Sequence, residues 1–160
     1  SRGKLINCGK ITGGLGEDTI PDLCTISIGV RFPSTEIKNE ILDALEQAAS
    51  HSTVPDTWAE LDTSRLMECM DTTDGVMALF RHIQRTAVRC GMDEPGCFQV
   101  GGLSDSGITV ACGIPTVCAM GVRGEGNHTP TEYAEVESLF ERCILAACAA
   151  GSLEDGFTEQ

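Results

Sequence analysis

Aromatic residues, positive charge and long apolar runs are all scarce in this sequence, and each shortage excludes something. Aromatics make up 4% of the 160 residues, so any core must be built from aliphatic, alanine and cysteine side chains. Eleven Lys and Arg stand against 24 Asp and Glu, a formal net charge of −13. Nucleic acid and anionic membrane surfaces need basic patches, so neither is expected as a partner. No apolar stretch is long enough to cross a bilayer, and none has the pattern of a secretory leader.

CxxC spacing is missing too, although nine cysteines are present, at positions 8, 24, 69, 90, 97, 112, 118, 143 and 148. That excludes a zinc ribbon or a thioredoxin-like motif. The number is odd and most lie in apolar runs such as VACGIPTVCAM, so buried, reduced thiols acting as small hydrophobes are expected. Reduced thiols in turn point to a cytoplasmic compartment. The chain opens SRGKLINCG, without methionine, and enters a strand-like pattern at once. A longer protein is therefore expected to extend beyond it.

What is present reads as a soluble folded protein, 41% apolar and 22% charged, of a length suited to one ordinary domain or two small ones. Residues 5–11 and 23–32 flank a glycine-rich turn. In the second run Cys24, Ile26, Ile28, Val30 and Phe32 alternate with polar or small residues, the period of a half-buried antiparallel strand. Ser34 can cap a helix whose stripe is Ile37, Ile41, Leu45 and Ala48. WAELDTS, residues 58–64, reads as a further strand. Together these make an antiparallel sheet with one helix, an α+β layer.

Near residue 70 the pattern changes. Thr73 or Asp74 can cap a helix with Val76, Leu79, Phe80, Ile83 and Ala87 on one face, ended by Gly91. CFQV (97–100) and IPTVCAM (114–120) read as strands of a parallel sheet buried on both faces. A final helix over 132–149 carries Val136, Leu139, Phe140, Cys143, Ile144, Ala147 and Cys148 at helical spacing. This second part is α/β, so the expected domains are 1–70 and 71–160.

Open α/β sheets place their sites in loops at strand ends. Two glycine-rich loops qualify, GGLSDSG (101–107) and GVRGEGNHTP (121–130). The first nearly matches a G-x-S-x-G nucleophile elbow, with Ser106 where glycine is needed. A serine hydrolase using Ser104, Asp105 and His128 is one reading, and a loop whose backbone approaches a ligand or a helix is the other. His128 is an idle loop imidazole or a metal ligand. His51 and His82 form no HxH or HExxH pattern with it, and His82 is expected mid-helix on the far side of the apolar stripe. By themselves, these residues hold no complete metal site.

The string GGLSDSGITVACGIPTVCAMGVRGEGNHTPTEYAEVESL resembles the C-terminal signature of the M20 family of di-zinc metallopeptidases. That family includes glutamate carboxypeptidases, acetylornithine deacetylases and succinyl-diaminopimelate desuccinylases. The matching positions are Gly102, Ser104, Asp105, Gly113 to Thr116, Gly121, Gly124, His128, Glu132 and Tyr133. INCGKITGGLGEDTIPDLCTISIGVRF is similar to the family's lid, or dimerisation, domain, with Asp18 where the family has asparagine. An acid there would repel a developing oxyanion. The likeness runs from Ile6 to Ala149.

The resemblance implies a partial, ferredoxin-like lid over 1–70, followed by the C-terminal part of an α/β zinc-peptidase catalytic domain. It implies two zinc ions per active site in the whole enzyme, with His128 as one ligand. The remaining ligands and the glutamate general base would lie N-terminal to Ser1, so no catalytic residue is expected in this chain. Arg65, in the carboxypeptidase-like LDTSRLMECM, would clamp the substrate carboxylate. Gly101, Gly102, Ser104 and Asp105 would line the substrate pocket, Asp105 either bonding loop amides or merely capping the next helix. The implied reaction is hydrolysis of an amide bond in a peptide or N-acyl amino acid, with the isolated 160 residues inactive. A non-catalytic dimerisation or binding module of the same ancestry is the alternative. In either case a homodimer or other homo-oligomer is expected.

Overall fold

A computed structural model describes residues 3–98 and 104–153. They fall into two units, one reaching to Asp71, the other made of Thr72–Phe98 and the residues from Ser104 onward.

The first unit begins with a hairpin of β1 (Leu5–Gly13) and β2 (Cys24–Arg31). The strands pair antiparallel from Leu5↔Arg31 to Gly13↔Cys24, with a bulge between Cys8 and Lys10. Gly13 has to be glycine, because a Cβ there would meet the Leu23 carbonyl at 2.7 Å. Ser34 then caps α1 (Thr35–Ser50), its Oγ accepting from the Ile37 N–H at 3.3 Å. Ile37 and Ile41, one turn apart, are buried, and Ile41 is only 1% exposed. The helix is fastened by Lys4–Glu40 (2.9 Å), Lys38–Glu68 (2.6 Å) and the Thr35 N–H to Asp71 Oδ1 (3.0 Å).

In the second unit α2 (Asp74–Arg89) and α4 (Val136–Gly151) pack together around Ile83, Ala87, Leu145 and Ala149. Thr73 Oγ1 caps α2 by accepting from the Val76 N–H at 3.2 Å. Gly91, at φ +74°, ends it: its N–H bonds Val88 O and the Met92 N–H bonds Ala87 O, both at 3.0 Å. This is a Schellman cap, in which a left-handed glycine lets two orphan carbonyls be satisfied. Between the helices lie α3 (Ser106–Ala111) and a small hairpin, β3 (Gly124–Glu125) with β4 (Tyr133–Ala134).

Among the described residues the architecture is thus mixed α/β, with two small antiparallel sheets and four helices. Several expectations need correction. No parallel pairing occurs among the described residues: 114–120, with Ala119 left-handed at φ +61°, and 58–64, which ends in a turn, are both unpaired, and CFQV lies partly outside them. A strand exists only when a second backbone satisfies its N–H and C=O groups, and no neighbour is present for these runs. The final helix begins at Val136 rather than 132, because Tyr133 and Ala134 are taken into β4.

The buried face of α4 is also not the expected one. Ser138, Leu145 and Ala149 are buried, whereas Phe140 is 65% exposed and Val136, Leu139 and Ile144 are exposed as well. Apolar residues surround this helix, so their periodicity does not single out the side that meets α2. The thiols differ in the same way. Seven of the nine cysteines are exposed, and Cys69 and Cys90 are half-buried. An apolar run buries its cysteines only where something covers it, and nothing described covers the ribbon bearing Cys8 and Cys24 or the side of α4 bearing Cys143 and Cys148. His82 departs in the opposite sense. It is 3% exposed, with Nε2 2.9 Å from Ala149 O. A carbonyl only accepts, so Nε2 carries the proton. No described helix is long and apolar enough to cross a membrane.

Candidate functional site

The chain around His128 is shaped by its backbone before any side chain acts. β3 and β4 approach so closely at Gly124 that a Cβ would collide with the Tyr133 carbonyl oxygen. Gly126 (φ +76°) and His128 (φ +65°) are left-handed, a region where glycine is at ease and His is tolerated. The Thr129 N–H and Oγ1 both donate to Gly126 O, at 3.0 and 2.6 Å, and the Glu132 N–H donates to Thr129 O at 3.2 Å. Glu132 Oε2 accepts from the His128 backbone N–H at 3.4 Å. The imidazole is exposed, and no hydrogen bond or ion pair engages it among the described residues. Beside it lies an open depression of about 280 Å³ lined by Val122, Gly124, Asn127, Glu132, Tyr133 and Ala134. That is smaller than an ordinary ligand pocket.

Arg123 and Ser138 hold this hairpin on α4, and neither stood out in the sequence. The Arg123 N–H donates to Ser138 Oγ (2.9 Å), Ser138 Oγ donates to Glu135 O (2.7 Å), and the Glu135 N–H returns to Arg123 O (2.9 Å). Ser138 is completely buried. The guanidinium spans Glu141 at 2.6 Å and Glu135 at 3.0 Å. Those two carboxylates hold its proton still more firmly, and Arg123 in turn holds the Glu141 carboxyl below its usual range. Arg123 precedes Glu135 by 12 residues and Glu141 by 18, separations that carry no sequence signal for this arrangement.

Of the substrate-lining candidates, Gly101 and Gly102 lie outside the described residues. Ser104 lies two residues before α3, and its side chain rather than that of the N-cap residue Asp105 bonds the first helical amide. Ser104 Oγ accepts from the Ser106 N–H at 3.3 Å and from Ser106 Oγ at 2.7 Å. Asp105 is exposed and makes no capping bond. The other partner of Ser104 Oγ is Cys118 Sγ, at 3.1 Å. Hydrogen bonds from Ser104 and then Ser106 lower the Cys118 thiol pKa. Ser104 therefore sits among hydroxyls and a thiol, with no imidazole on it, which removes the support for a serine-hydrolase triad. The GIPT segment completes this corner. Gly113 (φ +80°) ends α3 with a second Schellman cap, its N–H to Val110 O at 2.9 Å and the Ile114 N–H to Thr109 O at 3.0 Å. Thr109 and Thr116 hydroxyls meet at 2.7 Å.

Arg65 belongs to the first unit and is exposed in a turn closed by the Leu66 N–H to Thr63 O at 2.9 Å. Asp62 Oδ1 accepts from the Ser64 N–H at 2.8 Å. That bond, foremost among its causes, holds the Asp62 carboxyl below its usual range. The guanidinium is presented to solvent.

The donors present do not compose a zinc site. Among the described residues no three His, Cys, Asp or Glu side chains come together as metal ligands. His128 supplies one donor where zinc takes three or four from protein.

These features define a mixed α/β fold. Among solved structures it is similar to the aminopeptidase PepT from Bacillus cereus, with a TM-score of 0.57 and 23% identity. The similarity covers 93% of this chain and 39% of that one, so the chain spans well under half the length of that protein. No protein-family model and no curated protein matches. At this identity the likeness is one of fold.

Proposed function

We propose that this chain is part of a metal-dependent, M20-type peptidase or amidohydrolase, supplying one wall of its cleft. The substrate would be a peptide or N-acyl amino acid cut at an amide bond, carboxypeptidase-like in needing a free carboxylate. The observation that carries the reading is His128, an exposed imidazole held in a left-handed turn by a hairpin that fixes its backbone, in a chain folded like an aminopeptidase. Imidazole is a common zinc ligand. On this reading, zinc is held by His128 together with groups outside this chain, and supplies Lewis acidity when bound. Arg65 offers a fixed, bidentate fork to the substrate carboxylate. Gly101, Gly102, Ser104 and Asp105 are the proposed pocket lining. Residues up to about 70 would be a partial lid, the rest a portion of the catalytic domain, in a cytoplasmic protein that self-associates.

The 160-residue chain alone is expected to bind zinc weakly and to hydrolyse nothing. Calorimetric titration should show that weak binding lost in His128→Asn, a change that keeps the left-handed backbone accessible. Tight, stoichiometric zinc in this chain, or hydrolysis of dipeptides by it, would overturn the reading.

A second reading is a non-catalytic dimerisation or binding module. It is favoured by one observation: β1 and β2 form a two-stranded sheet whose outer edges are unpaired among the described residues. The two readings separate in the product of the complete gene. Activity on dipeptides or N-acyl amino acids with zinc, cobalt or manganese supports the enzyme. An inert dimer by size-exclusion mass supports the module.

A further inference from the structure

Residues 124–134 carry His128 in the turn between β3 and β4. Among the described residues, the hydrogen bonds of this arm stay inside it. They are the β3–β4 ladder, the Thr129 bonds to Gly126 O and to Thr131, the Glu132 N–H to Thr129 O, and the His128 N–H to Glu132 Oε2. All its residues are exposed except the half-buried Gly126, and none joins the core cluster of α2 and α4. A short two-stranded ladder with no buried face is marginal in water by itself. What holds it is one knot at its base. Arg123 and Glu135, the residues on either side of the arm, are closed by the Glu135 N–H to Arg123 O at 2.9 Å. Ser138, completely buried in the first turn of α4, accepts from the Arg123 N–H at 2.9 Å and donates to Glu135 O at 2.7 Å. Glu135 O also takes the Ser138 N–H, at 3.1 Å. Without the hydroxyl it would keep a partner, whereas the Arg123 N–H would be left with none among the described residues. The Arg123 guanidinium adds bridges to Glu135 and Glu141, but these are exposed, and exposed ion pairs contribute little.

We propose that residues 124–134 form a latched arm, with the Ser138 hydroxyl as its latch. The arm seats and releases as one unit while α2 and α4 stay packed. His128 is held at a fixed place only while the latch is closed, so Ser138 gates whatever the imidazole engages. The proposal rests on the bonds at the base of the arm and stands independently of the peptidase reading.

Amide hydrogen exchange of the 160-residue chain, resolved residue by residue by NMR, tests it, because amides exposed by different openings respond to different substitutions. Ser138→Ala should lower the protection of the Thr129, Glu132 and Glu135 amides together, by roughly tenfold. Arg123→Gln, which keeps the backbone bonds of the knot, should lower it by less. Ile83→Val, in the core cluster, should lower the protection of amides around Leu145 by roughly threefold to tenfold. It should leave the arm's amides unchanged, because the core is equally intact whether the arm is seated or released. Arm amides that lose protection in step with the core in Ile83→Val would show that the arm opens only with its whole unit, and would overturn the proposal. So would unchanged arm amides in Ser138→Ala, or an equal loss in Arg123→Gln. The Ile83→Val comparison decides even if Ser138→Ala folds poorly.

Discussion

The environment of one thiol can be read in its reactivity. Cys118 has its pKa lowered by the hydroxyls of Ser104 and Ser106, whereas burial, followed by the nearby Asp71 charge, raises that of the half-buried Cys69. The thiolate is the reacting species. A lowered pKa means more thiolate at a given pH, so the alkylation rate of Cys118 should reach half its plateau below the pH of an ordinary exposed thiol, and Cys69 above it. Ser104→Ala should move the Cys118 midpoint upward and leave the Cys69 midpoint in place; peptide mass mapping of iodoacetamide adducts across pH measures both. None of this contact was legible in the sequence. Ser104 stood out there as a member of a loop motif and Cys118 as a hydrophobe, and their meeting depends on how α3 and the GIPT turn fold back.

Helix ends and helix faces were legible to different degrees, for a physical reason. Ser34, Thr73 and Gly91 act within a few residues of themselves, so the starts of α1 and α2 and the end of α2 could be read directly. The face α4 buries and the neighbours strands require are settled by distant chain, and there the pattern misled. Urea unfolding separates the two kinds of feature. Gly91→Ala places a Cβ at φ +74° and should cost about 1–2 kcal/mol. Leu145→Ala, at 2% exposure, should cost ~2–5 kcal/mol. Phe140→Ala, on the stripe the periodicity favoured, should stay within about 0.5 kcal/mol. Equal losses at Leu145 and Phe140 would show that α4 buries the other side.

At the level of the whole molecule, charge and exposed apolar surface pull in opposite directions. A formal charge of −13 repels copies of the chain, while exposed Leu15, Ile20, Trp58, Phe98 and Phe140 attract them. Added salt screens the repulsion and leaves the apolar attraction. Sedimentation should accordingly show a mass that rises with ionic strength; a monomer indifferent to salt at all concentrations would refute this balance. His128, Arg65 and the glycine loops drew attention because the resemblance that marks them is local in sequence, whereas the buried Ser138 and the Arg123 bridge that seat the hairpin are visible only in the fold.

The unequal apolar interiors of the two units have one more consequence. Among the described residues, the buried hydrophobics of the first are Ile37 and Ile41, whereas the second has Val76, Ile83, Ala87, Val110, Leu145 and Ala149. In deuterated solvent the amides of β1 and β2 should therefore give up their protons through local opening, while those near Ile83 and Leu145 wait for the rarest and most complete opening of their own unit.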